Sequence, residues 1–135
     1  MTQRPVSEQH VPLPRVRLDI VEQVVVFVED MDRARDFYRD VLGLQVRFEH
    51  EGWVEFSTRG AGIALCSGGR RSEGPKDYRG GGVLPTLRVQ SVEAAVQYLR
   101  SRGVSVNETA VEPYGRLAVF SDPEGNQLQI LEPHE

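Results

Sequence analysis

Residues 21–44 read VEQVVVFVEDMDRARDFYRDVLGL. The run from Asp19 to Val28 is β-branched and apolar, as a buried strand would be. Asp30 is placed to cap a following helix. Within that helix Ala34, Phe37, Tyr38, Val41 and Leu42 recur at helical spacing, and Gly43 supplies the stop. One polar residue, Gln23, interrupts the strand. It is an ordinary strand residue, a metal ligand, or what remains of a lost ligand, and the choice separates a metalloenzyme from a binding protein.

Working outward, LQVRFEH and WVEFST alternate around Glu51 and Gly52 as a hairpin would, and GIALCS is a further strand. Residues 67–82, SGGRRSEGPKDYRGGG, have no periodicity; a loop of that length is a functional segment or a linker. VLPTLRVQ is expected to be a strand containing Pro85. SVEAAVQYLRSRG is a second helix, with Ser91 at its start and Gly103 at its end. VSVNETAV, GRLAVFSD and NQLQILEP are three more expected strands, and DPEGN at residues 122–126 is a turn.

The two halves repeat. FVEDMDRARDFYRDVLGLQV lies over RVQSVEAAVQYLRSRGVSV with a one-residue gap, and EFSTRGAGIAL lies over VFSDPEGNQLQIL. The order β-α-β-β-β therefore occurs twice, which implies two similar modules with combined sheets and helices outside.

Composition sets limits. With 39% hydrophobic and 27% charged residues, the 135-residue chain is expected to be one soluble domain with its own core. A net charge of −4 and a pI near 5.4 argue against nonspecific nucleic-acid binding. No apolar run is long enough to span a membrane, and residues 1–16 lack the apolar centre of a signal peptide. The single cysteine, Cys66, fits a reducing cytoplasm and leaves no multi-thiolate zinc site.

VVFVEDMDRARDFYRDVLGL and GRLAVFSDPEGNQLQIL, with the repeat, make residues 18–133 resemble the vicinal oxygen chelate superfamily. It includes glyoxalase I, extradiol dioxygenases, fosfomycin-resistance enzymes and bleomycin-resistance proteins. The resemblance implies an α+β fold in which two βαβββ modules form a curved, cup-like mixed sheet with helices outside. The expected organisation is an N-terminal arm over residues 1–17, module one over 18–66, a linker loop over 67–82 and module two over 83–133. Family members are often dimers, with the cup sometimes shared between chains, so a homodimer is expected here.

The resemblance also places the family's four metal-ligand positions at Gln23, Ala64, Leu84 and Gln129, and the repeat independently lays Gln23 over Leu84 and Ala64 over Gln129. Gln23 alone would not exclude a metal, since glutamine ligates one in some glyoxalase I enzymes. Ala64 and Leu84 have no donor atoms, and a catalytic site needs roughly three protein ligands. Neither a family-type metal nor a cofactor is therefore expected. His10, His50 and His134 show no ligand spacing that would replace the lost set.

Strand alternation gives the cup lining: Gln23, Val25 and Phe27; Ala64 and Cys66; Leu84, Thr86 and Arg88; Gln129 and Leu131. Such a surface suits a small organic molecule. Arg88 anchors an anionic group, pairs with a neighbour such as Glu132, or is a strand-end residue reaching solvent. Gln23 and Gln129 bond a ligand or each other. Cys66 is a nucleophile or a small buried hydrophobe. Phe27 and Trp53 stack on a planar ligand or pack into the core and hairpin. Arg70, Arg71, Lys76, Tyr78 and Arg79 in the loop make either a lid or a solvated connector.

The leading expectation is metal-independent binding of a small organic molecule. The alternative is an enzyme: a glyoxalase-like lyase or dioxygenase with an altered site, or a metal-free isomerase or cyclase using Arg88 and a carboxylate such as Glu55. A third reading is an interaction module whose cup is filled by its own side chains. No catalytic residue is assigned by the sequence.

Overall fold

The computed structural model describes residues 17, 19–71 and 83–134. The expected arm, apart from Arg17, and most of the 67–82 loop lie outside them. Module one contains β1 (Gln23–Val28), α1 (Met31–Asp36), β2 (Gln45–His50), β3 (Trp53–Ser57) and β4 (Gly62–Ser67). Module two contains β5 (Thr86–Arg88), α2 (Val92–Ser101), β6 (Ala110–Glu112), β7 (Gly115–Ser121) and β8 (Gln127–Pro133). Each module forms a four-stranded mixed sheet, in the orders β1-β4-β3-β2 and β5-β8-β7-β6. In each, the first strand runs parallel to the last and the other neighbours are antiparallel. This is the doubled βαβββ α+β fold that the repeat implies.

The strand register reproduces the repeat. Val25 faces Ala64 as Thr86 faces Gln129, and Phe27 faces Cys66 as Arg88 faces Leu131. Alternate residues take the other face. Val26, Val28, Ile63, Leu65, Val54 and Phe56 from the first sheet join Leu128, Ile130, Ala118 and Phe120 from the second in one core under the helices. Ser91 caps α2 through Ala94 N, and Val92, Val96 and Leu99 supply its buried stripe. A single core thus spans both modules, leaving one helix-free, open face on each sheet.

Three expected elements differ in extent. The first helix is capped by Asp30 but opens after Asp36 into a π-helical turn, Phe37–Val41, closed by Leu42 N to Phe37 O at 3.1 Å. The wider turn lets two consecutive residues, Phe37 and Tyr38, both enter the core. Tyr38 stacks on Phe56 at 5.8 Å, and Phe37 meets Phe120 of module two at 6.5 Å. The expected strand around Pro85 shortens to Thr86–Arg88, because proline has no N–H to give the ladder. Pro85 keeps only its carbonyl, which accepts from Gln129 N at 2.9 Å. VSVNETAV forms a single bridge, Val106 to Phe120, before the short β6 begins.

The turn at residues 122–126 is more than a connection. Glu124 is completely buried, and its carboxylate accepts from the backbone N–H groups of Glu29, at 2.6 Å, and Asp30, at 3.0 Å. Asp122, also buried, accepts from Tyr38 Oη at 2.8 Å and from the backbone N–H groups of Glu124 and Asn126. Asn126 Nδ2 reaches Phe27 O at 3.3 Å. Tyr98 Oη adds a further tie, donating to Val41 O at 2.6 Å.

Two outcomes follow from this anchor. Glu124→Ala strands donors at the entry to α1 and should cost about 2–4 kcal/mol; equilibrium urea unfolding measures it. Burial first, then the Asp122 charge and hydrogen bond and the Glu124 charge, hold the Tyr38 hydroxyl well above its ordinary value of 10.0. Below pH 10 both folded and unfolded states keep this proton. Above it only the unfolded chain releases the proton, so stability falls with rising pH. Tyr38→Phe should flatten that alkaline decline in unfolding midpoints recorded from pH 8 to 11.

Candidate functional site

The open face of the first sheet is built by a β-bulge. Val46 pairs with Phe56, but Phe48 pairs with Glu55, so Arg47 is an extra residue without a partner. Plain alternation would put Phe48 on the same side as Val46. The bulge reverses the register beyond it. Val46 packs against the core, whereas Phe48 stands 52% exposed on the open face beside His50. Glu49 turns to the helix side, where its carboxylate meets Arg35 at 2.7 Å.

Arg47 itself lies across the open face. Its Nε donates to Glu55 Oε1 at 3.2 Å, and its Nη2 makes a long contact of 3.5 Å with Gln23 Oε1. The other oxygen of Glu55 accepts from Trp53 Nε1 at 2.8 Å. Gly62, paired with Gln23, makes room: a Cβ there would stand 2.9 Å from Arg47 Nη2. One carboxylate therefore orients both a guanidinium and an indole on a surface otherwise formed by Val25, Phe27, Phe48 and Cys66. Val25 is 39% and Phe27 56% exposed, so this is an apolar face open to solvent with a fixed polar group in it.

The residues singled out from the sequence divide between the two sheets. Gln23, Phe27, Ala64 and Cys66 share the open face of the first. Ala64 is fully buried between Val25 and Glu55, while Cys66 is a half-buried free thiol whose Sγ lies 3.4 Å from Ser67 O. Thr86, Arg88 and Gln129 lie on the open face of the second sheet, with Gln129 Nε2 donating to Thr86 Oγ1 at 3.1 Å. Leu84 precedes β5 and lies outside the sheet. No strand pairing joins the two sheets among the described residues.

Two of the alternatives left open by the sequence are resolved against pairing. Gln23 and Gln129 do not bond each other; each is engaged within its own sheet. Arg88 does not pair with Glu132, which instead accepts from Val92 N at 3.0 Å at the start of α2. Among the described residues Arg88 has no ion-pair partner. Thr86 and Arg88 also reach the wall of a cleft of about 1230 Å³ between the modules, which is lined on the core side by Val24, Leu87 and Ala95 and at its rim by Gln45, Thr58 and Arg59. Sequence reasoning missed Arg47 entirely, and it named Glu55 only as an example of a carboxylate that could work with Arg88 in the alternative, enzymatic reading. Glu55 is on the other sheet and both its oxygens are engaged.

The family model for the Glyoxalase/Bleomycin resistance protein/Dioxygenase superfamily matches residues 20–130. The chain belongs to this superfamily. Among solved structures it is similar to TnmS3, an antibiotic binding protein from Streptomyces sp. CB03234, at 26% identity and a TM-score of 0.68, over 89% of this chain and 100% of that one. It shares its fold with FosX, the fosfomycin resistance protein from Listeria monocytogenes solved with Mn(II), at 13% identity and a TM-score of 0.71, over 87% and 93% of the two chains. Lactoylglutathione lyase from Agrobacterium tumefaciens is similar at 18% identity and a TM-score of 0.63, over 84% and 92%. No curated protein matches the sequence significantly.

The four positions that the family resemblance singles out do not supply a donor set for a divalent cation. Ala64 and Leu84 offer hydrocarbon, and Gln129 already donates to Thr86. Gln23 Oε1 faces the Arg47 guanidinium, and a metal ion placed there would be repelled by that charge. The polar network adds little to folding, because Arg47 and Glu55 are 38% and 21% exposed. Arg47→Ala should change the free energy of unfolding by less than about 1 kcal/mol. A larger loss in urea titrations would make Arg47 a structural residue.

Proposed function

We propose that this superfamily member binds a small organic molecule on its open sheet faces without a family-type metal ion. The observation that carries this reading is the first open face. Exposed Val25, Phe27 and Phe48 surround one ordered polar group, in place of a set of metal-ligating side chains. Apolar walls with a few fixed polar groups are the usual composition of a small-molecule site. The likeness to an antibiotic binding protein supports the same reading.

The proposal extends to the assembly. The faces carrying Gln23, Phe27, Ala64 and Cys66, and Thr86, Arg88 and Gln129, belong to separate sheets with a common core behind them. A homodimer in which the first sheet of one chain faces the second sheet of its partner would enclose one cup from two half-sites and cover exposed Phe27 and Phe48. The free thiol of Cys66 suits a reducing cytoplasm.

Separate dialyses against nickel, zinc, manganese and iron, followed by elemental analysis, should leave no stoichiometric metal. Light scattering at micromolar concentration should give a dimer mass. One metal per chain overturns the metal-free reading, and a monomer removes the shared cup. A thermal-shift screen of small organic molecules then tests binding itself.

A further inference from the structure

The first open face goes further than a generic apolar surface, because its polar atoms are arranged around two flat groups. Arg47 lies over Gly62, where the missing side chain lets a guanidinium rest against backbone. Glu55 holds that guanidinium with one oxygen and the Trp53 indole with the other. The Arg47–Glu55 pair is electrically neutral overall. Glu55 takes up Nε and Gln23 meets Nη2, which leaves Nη1 and the outer face of the guanidinium for a ligand. Phe27 stands exposed on the same side, across Cys66 from Trp53.

We propose that Arg47, Trp53 and Phe27 form a stacking platform selective for planar, uncharged aromatic ligands, with Glu55 as the positioning residue that orients its two central members. This rests on the small-molecule reading above and names the ligand class for it. Guanidinium and indole faces both attract π systems, and a flat ring system can cover both at once. The carboxylate also sets the charge preference: paired with Glu55, Arg47 offers an added anionic group on the ligand little net attraction.

Trp53 is the only tryptophan in the chain, so its indole N–H gives one resonance in a nitrogen–proton correlation spectrum. Acridone, a neutral planar tricycle, is titrated against adamantanone, an apolar ketone that is not flat, and against acridone-4-carboxylate. Acridone should bind saturably and move the Trp53 indole resonance, with adamantanone about tenfold weaker or worse. Arg47→Ala, on an exposed side chain, should weaken acridone about tenfold. Glu55→Gln should reverse the order of preference, favouring acridone-4-carboxylate over acridone, which a merely structural role for Glu55 would not do.

Equal binding of acridone and adamantanone overturns the platform and keeps the apolar site. Acridone binding with an unmoved indole resonance also overturns it, since the ligand then sits elsewhere. Absence of binding by all three probes, with no hit in the thermal-shift screen, removes the small-molecule reading together with the platform.

Discussion

The two modules are held as one molecule by a pair of buried carboxylates. Asp122 and Glu124 stand on the turn between β7 and β8, yet each also has partners in module one: the Tyr38 hydroxyl for Asp122, and the backbone N–H groups of Glu29 and Asp30 for Glu124. A buried carboxylate is costly unless hydrogen-bonded, so these groups exact one relative placement of the modules. Glu124 takes up N–H groups at the junction of β1 and α1. Asp122 fixes Tyr38, which occupies the centre of the shared core between Phe37 and Phe56. Any slippage of one module past the other would cost both carboxylates their partners in module one at once. Because the helix sides of the two sheets are committed to this common core, the opposite faces are the ones left open.

Much of this architecture was legible in the sequence because it repeats. The superposition of Val28 on Val89 and Gly43 on Gly103 gave the order of elements twice, and the register of Val25 with Ala64 and of Thr86 with Gln129 follows the same alignment. What was not legible depends on single residues. DPEGN reads as a turn whichever way Glu124 points. QVRFEH reads as an alternating strand in either register, because Val46 and Phe48 look alike as apolar residues. Only the pairing with β3 shows that Arg47 bulges and that the two apolar residues face opposite sides. Arg47 therefore carried no signal as a functional residue. Glu55 entered the sequence reading only as an example carboxylate for Arg88, and the structure sets the two residues on different sheets.

The bulge also bears on Gln23, the polar residue within the first strand. The emptied ligand positions are not simply vacant hydrocarbon. Ala64 is covered, Gln129 is engaged with Thr86, and the amide oxygen of Gln23 is turned toward a guanidinium delivered by the extra residue in β2. A fixed cation thus stands beside Gln23, one of the four positions at which the family resemblance leads one to look for a metal ligand. It differs from a metal in the way that matters for chemistry. A divalent ion has open coordination sites that polarise a bound oxygen, whereas a guanidinium neutralised by Glu55 offers a flat face and little net field. In the proposed reading, exchanging one for the other would turn the sheet from activating a substrate to recognising a shape, and the repeated fold needs no change in topology for that difference.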